Sequence, residues 1–223
     1  MRWTALVLLA GAMFFAYIFM DILSPLQSLL QTSRGWTPEA FGHYAGSETF
    51  LNVFVFFLIF AGIILDKMGV RFTAVLSGTV MFIGGAINYY AVTDAFAGSA
   101  LDTFFTNHLN LPQAWWNVTP WFEGMPASAK LAACGFMVFG CGAEMAGITV
   151  SRGIVKWFTG HEMALAMGVE MAIARVGVAV VMAGSPLIAS IAPVSVSRPA
   201  AVSLLLLCIC LLYTSPSPRD MRR

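Results

Sequence analysis

"CGAEMAGITVSRGIVKWFTGHEMALAMGVEMAIARVG" runs from Cys141 to Gly177. Two apolar stretches flank a short polar turn, and each carries one charge deep in its apolar part, Glu144 before the turn and Arg175 after it. With the centre of the turn at Thr159, Glu144 lies fifteen residues before it and Arg175 sixteen after. At about 1.5 Å per residue, each is roughly 23 Å along its helix from the turn. An antiparallel hairpin then brings both charges to one depth, past the middle of a hydrocarbon layer about 30 Å thick. A charge there costs at least about 2.5–3.5 kcal/mol on insertion scales, so it is normally paired or turned towards water. Two readings of the pair follow. Glu144 and Arg175 either fix the hairpin as a structural ion pair or face a shared cavity. The readings are compatible, because a pair closed in the empty state can open to receive an ammonium and a carboxylate.

The rest of the chain has the same character. It is 59% hydrophobic and 10% charged, with a mean hydropathy of +0.80. Soluble domains are about 45–50% apolar and about 25% charged. This chain cannot cover a water-facing surface with charge, and it belongs in a bilayer. Apolar runs near the spanning length of about 20 residues recur at 3–30, 46–65, 72–92, 129–155, 163–191 and 199–209. The first run is interrupted by Asp21 and Pro25, and its length separates it from a cleaved signal peptide. The predicted fold class is all-α, a six-helix membrane bundle whose sixth helix is cut short. A barrel would show short alternating segments instead.

Basic residues set the orientation. Arg2, the pair Lys67 and Arg71, and the group Arg152, Lys156 and His161 fall in alternate connections, while the others carry Arg34, Glu39, Asp94, Asp102 and Glu123. The positive-inside rule places the N-terminus and the first set in the cytoplasm. The long connection from Thr93 to Ser128 then faces outward, with Trp115, Trp116 and Trp121 as anchors at the membrane boundary. Asn117-Val118-Thr119 fits a glycosylation acceptor, but Pro120 follows it, and no role is assigned. The end of the chain breaks the pattern. "CLLYTSPSPRD", Cys210 to Asp220, resembles a translated sequencing adapter, so residues 210–223 are expected to be a non-native tail and the chain a fragment.

Between the second and third runs the sequence reads "GIILDKMGVRFTAV", Gly62 to Val75. Gly62, Asp66, Lys67, Gly69 and Arg71 match in order the signature loop of the major facilitator superfamily, with Val70 where that family usually has a basic residue. Glycines there permit a tight turn and close helix approach. Asp66 can meet a basic partner and form a latch that breaks when two halves rock; the plain alternative is a polar turn carrying positive-inside charge. The opening stretch is similar to the lysosomal dipeptide transporter branch of the superfamily and its bacterial relatives. Phe-Gly-x-Gly-x-Glu at Phe139 to Glu144, "KWF.G.E" at Lys156 to Glu162 and "GVEMAIARVG" at Gly168 to Gly177 carry that resemblance. "AYIFMDILSPLQSLL" in the first run and Asn52 in the second fit it less specifically.

The resemblance covers most of residues 3–190. It implies a twelve-helix transporter in a bacterial plasma membrane, of which this chain holds the first six-helix half and a missing C-terminal half is the partner. It also implies that Glu144 and Arg175 grip the charged ends of a peptide. Glu170 stands where that branch would have glutamine, which adds a negative charge near Arg175.

The expected function is alternating-access transport of dipeptides or similar zwitterions. Substrate contacts are assigned to Glu144, Arg175, Glu170 and Asn52, and a conformational latch to Gly62, Asp66, Lys67, Gly69 and Arg71. An arginine fork suits a carboxylate. Two rival readings remain open: a major-facilitator carrier for organic anions or sugars, and a non-transporting membrane scaffold in which Glu144–Arg175 is purely structural. A membrane enzyme is disfavoured, because no nucleophile-and-base pair or metal-ligand spacing appears. No phosphate loop or other cofactor motif is present. Glu48 lies one turn before Asn52 and can share its face. Asp21 reads as a boundary residue, and the methionines Met163, Met167, Met171 and Met182 as packing.

Overall fold

The computed structural model describes residues 2–112, 119–158 and 160–214, and every regular element among them is helical. The helices are α1 (Arg2–Asp21), α2 (Gln27–Arg34), α3 (Pro38–Phe54), α4 (Phe57–Val92), α5 (Ala100–Asn107), α6 (Ala127–Trp157), α7 (His161–Ser190) and α8 (Ser197–Thr214). Four stretches are long and apolar enough to cross a membrane: Leu6–Arg34, Phe57–Val92, Ala127–Trp157 and Glu162–Ser190. A shorter apolar stretch, Ser197–Leu211, lies in α8. The all-helical expectation stands, while the expectation of six spans is met only in part. Thr159, Trp115, Trp116, Asn117, Val118 and the tail beyond Thr214 lie outside the described residues.

The largest difference concerns the second run. Residues 46–65 are not one helix: α3 ends at Phe54, and Phe56 takes a left-handed conformation (φ 54°) before α4 begins. The sequence there is Val53-Phe54-Val55-Phe56-Phe57, β-branched and aromatic side chains that lose rotamer freedom in a helix. α4 is itself interrupted at Gly69 (φ 83°, ψ 167°), a backbone conformation that favours glycine. The contacts along α6 show what these breaks do. Glu48 lies against Gly140, Asp66 pairs with Arg152, and Ser77 lies against Gly142. The chain therefore travels along α6 to its far end and returns, reversing near Gly69. Its returning stretch, 70–92, is about 34 Å long and can cross hydrocarbon unaided. At the other extreme, α8 continues to Thr214, past the expected boundary at 209.

Remaining ends follow local chemistry. Pro25 sits in the 3-10 turn Ser24–Leu26 that separates α1 from α2, where a proline removes a helix donor. Gly35 closes α2 in a left-handed cap (φ 69°), and the Thr37 hydroxyl accepts from the Ala40 amide to start α3.

With almost every side chain apolar, small residues decide which backbones meet. A Cβ on Gly84 of α4 would stand 2.3 Å from the Phe139 amide nitrogen, and one on Gly140 of α6 only 2.1 Å from the Glu48 carbonyl oxygen. α6 is thus clamped between α4 and α3. α7 packs instead on α1, where a Cβ on Gly177 would meet the Phe14 carbonyl oxygen at 2.7 Å and the Ser185 hydroxyl donates to the Ile22 carbonyl at 2.7 Å. Lys130 of α6 organises the connection between Thr93 and Ser128, a role that composition could not reveal. It is 1% exposed, and its ammonium donates to the carbonyls of Phe105 (3.0 Å) and His108 (3.3 Å) and to Asn110 Oδ1 (2.5 Å), holding the C-terminal end of α5. The Trp121 indole donates to the Lys130 carbonyl at 3.3 Å. This tryptophan therefore braces the connection from within.

Candidate functional site

Because α7 leans on α1 and α6 on α3 and α4, the two arms of the sequence hairpin do not close on each other. A cavity of about 730 Å³ lies in the gap. Helix α1 serves as a depth ruler for both arms. Gly147 faces Met13 and Gly177 faces Phe14, so α6 and α7 are level at adjacent residues of α1. Glu144 and Arg175 each lie within one turn of those glycines. The two charges occupy one zone of the bundle, but among the described residues they form no ion pair with each other.

Their surroundings differ. Glu144 is half-buried and lines the cavity with Glu48 of α3 and Glu170 of α7. Glu170 is 5% exposed and has no hydrogen-bond or ion-pair partner among the described residues. Arg175 does not itself line the cavity. Its guanidinium carbon sits 5.2 Å from the ring centroid of Tyr17, which does. Such a cation–π contact is worth about 0.5–2 kcal/mol and leaves the guanidinium N–H edges free for a carboxylate. Four carboxylates, those of Glu48, Asp66, Glu144 and Glu170, thus line the space together with the Arg152 guanidinium, and the Arg175 guanidinium rests on Tyr17 at its border.

Asn52 does not join this lining. It is 8% exposed, both polar atoms of its amide lack a partner, and it is absent from the cavity lining. One turn beyond Glu48 on α3, it is level with Glu144, one turn beyond Gly140 on the parallel α6. An unpaired buried amide costs about 1–3 kcal/mol.

Of the loop residues, Gly62 and Asp66 also line the main cavity. Asp66 Oδ1 accepts from Arg152 Nη1 at 2.9 Å, with both side chains more than half exposed (65% and 59%). Exposed pairs of this kind are worth about 0–1 kcal/mol, so this one is easily opened. Lys67 is exposed; Gly69 and Arg71 line a second, adjoining cleft with Arg152. Asp21 accepts from the Ser24 hydroxyl at 3.2 Å at the end of α1.

Tyr17 is the contributor that sequence reasoning missed. It stands inside "AYIFMDILSPLQSLL", where an aromatic among apolar residues carries no signal of its own. Arg152 as the partner of Asp66 was equally hidden, since its sequence position explained it as positive-inside charge. Comparison of the chain with protein-family models, curated proteins and solved structures gives no match.

Proposed function

We propose that this chain forms the first half of a secondary transporter of the major facilitator type, moving dipeptides or similar zwitterions by alternating access. The observation that supports the reading is that Glu144 lines the cavity while Arg175, held on the Tyr17 ring at its border, makes no direct pair with it. A carboxylate left open and a guanidinium parked on an aromatic ring suit a ligand that brings both an ammonium and a carboxylate. The Asp66–Arg152 pair is the weak contact at one end that alternating access requires. In this reading a second six-helix half supplies the opposite wall, the basic end faces the cytoplasm, and no catalytic step is involved.

Two rival readings fare less well. A carrier for organic anions would place Glu48, Glu144 and Glu170 around a like charge. A scaffold stabilised by a Glu144–Arg175 pair lacks that pair.

The test is uptake of labelled dialanine by liposomes carrying the two-half protein. Arg175→Ala is expected to reduce uptake roughly ten- to a hundredfold, the equivalent of about 1.5–3 kcal/mol for a charged hydrogen-bond pair. Helix content by circular dichroism should be unchanged. Full uptake by the variant would remove Arg175 from the site, and no uptake by the unmutated protein would overturn the substrate class.

A further inference from the structure

We propose that the cleft beside Gly69 binds the phosphate of an anionic membrane lipid. It has a volume of about 700 Å³ and adjoins the main cavity, from which the Asp66–Arg152 pair divides it. Arg71, Arg152 and Lys156 line it together with Asp66. Arginine forks and a lysine point charge are the side chains that hold phosphate oxygens. Its rim is apolar: Met68 is 55% exposed and Val155 46% exposed. A free phosphate gains nothing from these two side chains, whereas the first methylenes of a lipid's acyl chains do.

The depth of the cleft supports the same occupant. Trp157, next to Lys156, is 49% exposed, and Trp3, 47% exposed, packs edge-on against Phe158 at 5.3 Å. Tryptophans collect at the level of lipid headgroups, and these two mark that level at the end of the bundle where the cleft opens. Basic pockets between membrane helices are suited to anionic headgroups. The break at Gly69 makes room for one by turning the chain sharply between Asp66 and Arg71.

Occupancy has a consequence for the neighbouring pair. A phosphate on Arg152 competes with Asp66 for the same guanidinium. Anionic lipid therefore loosens the contact that joins the Gly69 turn to α6. The site does not depend on what the main cavity carries.

Lipid binding to the 223-residue chain can be measured by native mass spectrometry, with phosphatidylglycerol, phosphatidylcholine and inorganic phosphate as probes. Phosphatidylglycerol is expected to be retained and phosphatidylcholine lost. Lys156→Gln and Arg71→Gln should each weaken retention about fivefold. Lys156→Arg should restore it, and Lys67→Gln, just outside the cleft, should leave it unchanged. Equal retention of the two lipids would overturn the site, as would full retention by Lys156→Gln. Displacement of the lipid by inorganic phosphate at comparable concentration would identify a soluble anion instead. A loss with Lys67→Gln as large as with Lys156→Gln would reduce the effect to diffuse surface charge.

Discussion

Helix α6 meets α4 and α7 in opposite ways. Along α4 it presents Gly135 and Gly142, and the backbones approach so closely that a Cβ at either glycine would lie under 3 Å from an α4 backbone atom (2.7 and 2.6 Å). Towards α7 it presents Glu144 and Gly147, and the partner helix stands off across a cavity. The difference shows how one helix divides labour between its faces. Where small residues let backbones touch, no space remains for a ligand. Where a carboxylate must keep contact with water or a counter-charge, the neighbouring helix is displaced onto α1.

The sharpest way to break this comparison is to add one methyl group to each kind of face. Gly140→Ala would place a carbon 2.1 Å from the Glu48 carbonyl oxygen, a backbone atom that cannot swing aside. Overpacking of this sort costs about 1–3 kcal/mol or more. A marked fall in the thermal unfolding midpoint in detergent, or failure to recover folded protein, is expected. Gly147→Ala, on the cavity side of α6, meets only the end of the Met13 side chain at 3.9 Å, and the better helix propensity of alanine should leave the midpoint equal or slightly higher. Equal losses from the two substitutions would refute the division between packed and open faces.

A smaller effect is expected at Asp66. Because the Asp66–Arg152 pair is exposed, Asp66→Asn should change stability by less than about 1 kcal/mol. The proposed transporter should respond mainly in transport rate, since the substitution shifts the balance between conformations while leaving the ligand's contacts in place. Binding abolished in a folded Asp66→Asn variant would move this residue from latch to ligand contact.

Much of this architecture was legible in the sequence because hydrocarbon imposes simple rules. Runs of apolar residues give helices, and an intramembrane charge such as Glu144 or Arg175 calls for a cavity or a partner. The arrangement of those helices was less legible. Counting residues from the turn put Glu144 and Arg175 near one level, but a hairpin reading makes α6 and α7 direct neighbours. Nothing local announces that Gly177 and Ser185 send α7 to α1. The break at Val55–Phe56 was hidden for a similar reason: its residues are as apolar as their neighbours, and only their weak helix propensity distinguishes them. Asn52, expected to share the face of Glu48, is buried outside the cavity lining with its amide unpaired. Lys130 shows the converse, a charge inside an apolar helix whose partners are three neutral oxygens brought from a distant connection.

Glu144 and Arg175 are proposed to receive opposite ends of one zwitterion, and this pairing of residue with ligand end is open to experiment. It is tested most directly by crossing two blocked ligands with two substitutions in the two-half protein. Binding of dialanine, N-acetyl-dialanine and dialanine amide would be compared in the unmutated protein, Glu144→Gln and Arg175→Gln. Matched losses are expected. Blocking the amine should cost affinity in the unmutated protein but little more in Glu144→Gln, and blocking the carboxylate should cost little more in Arg175→Gln. Losses that simply add, whichever end is blocked and whichever residue is changed, would contradict it.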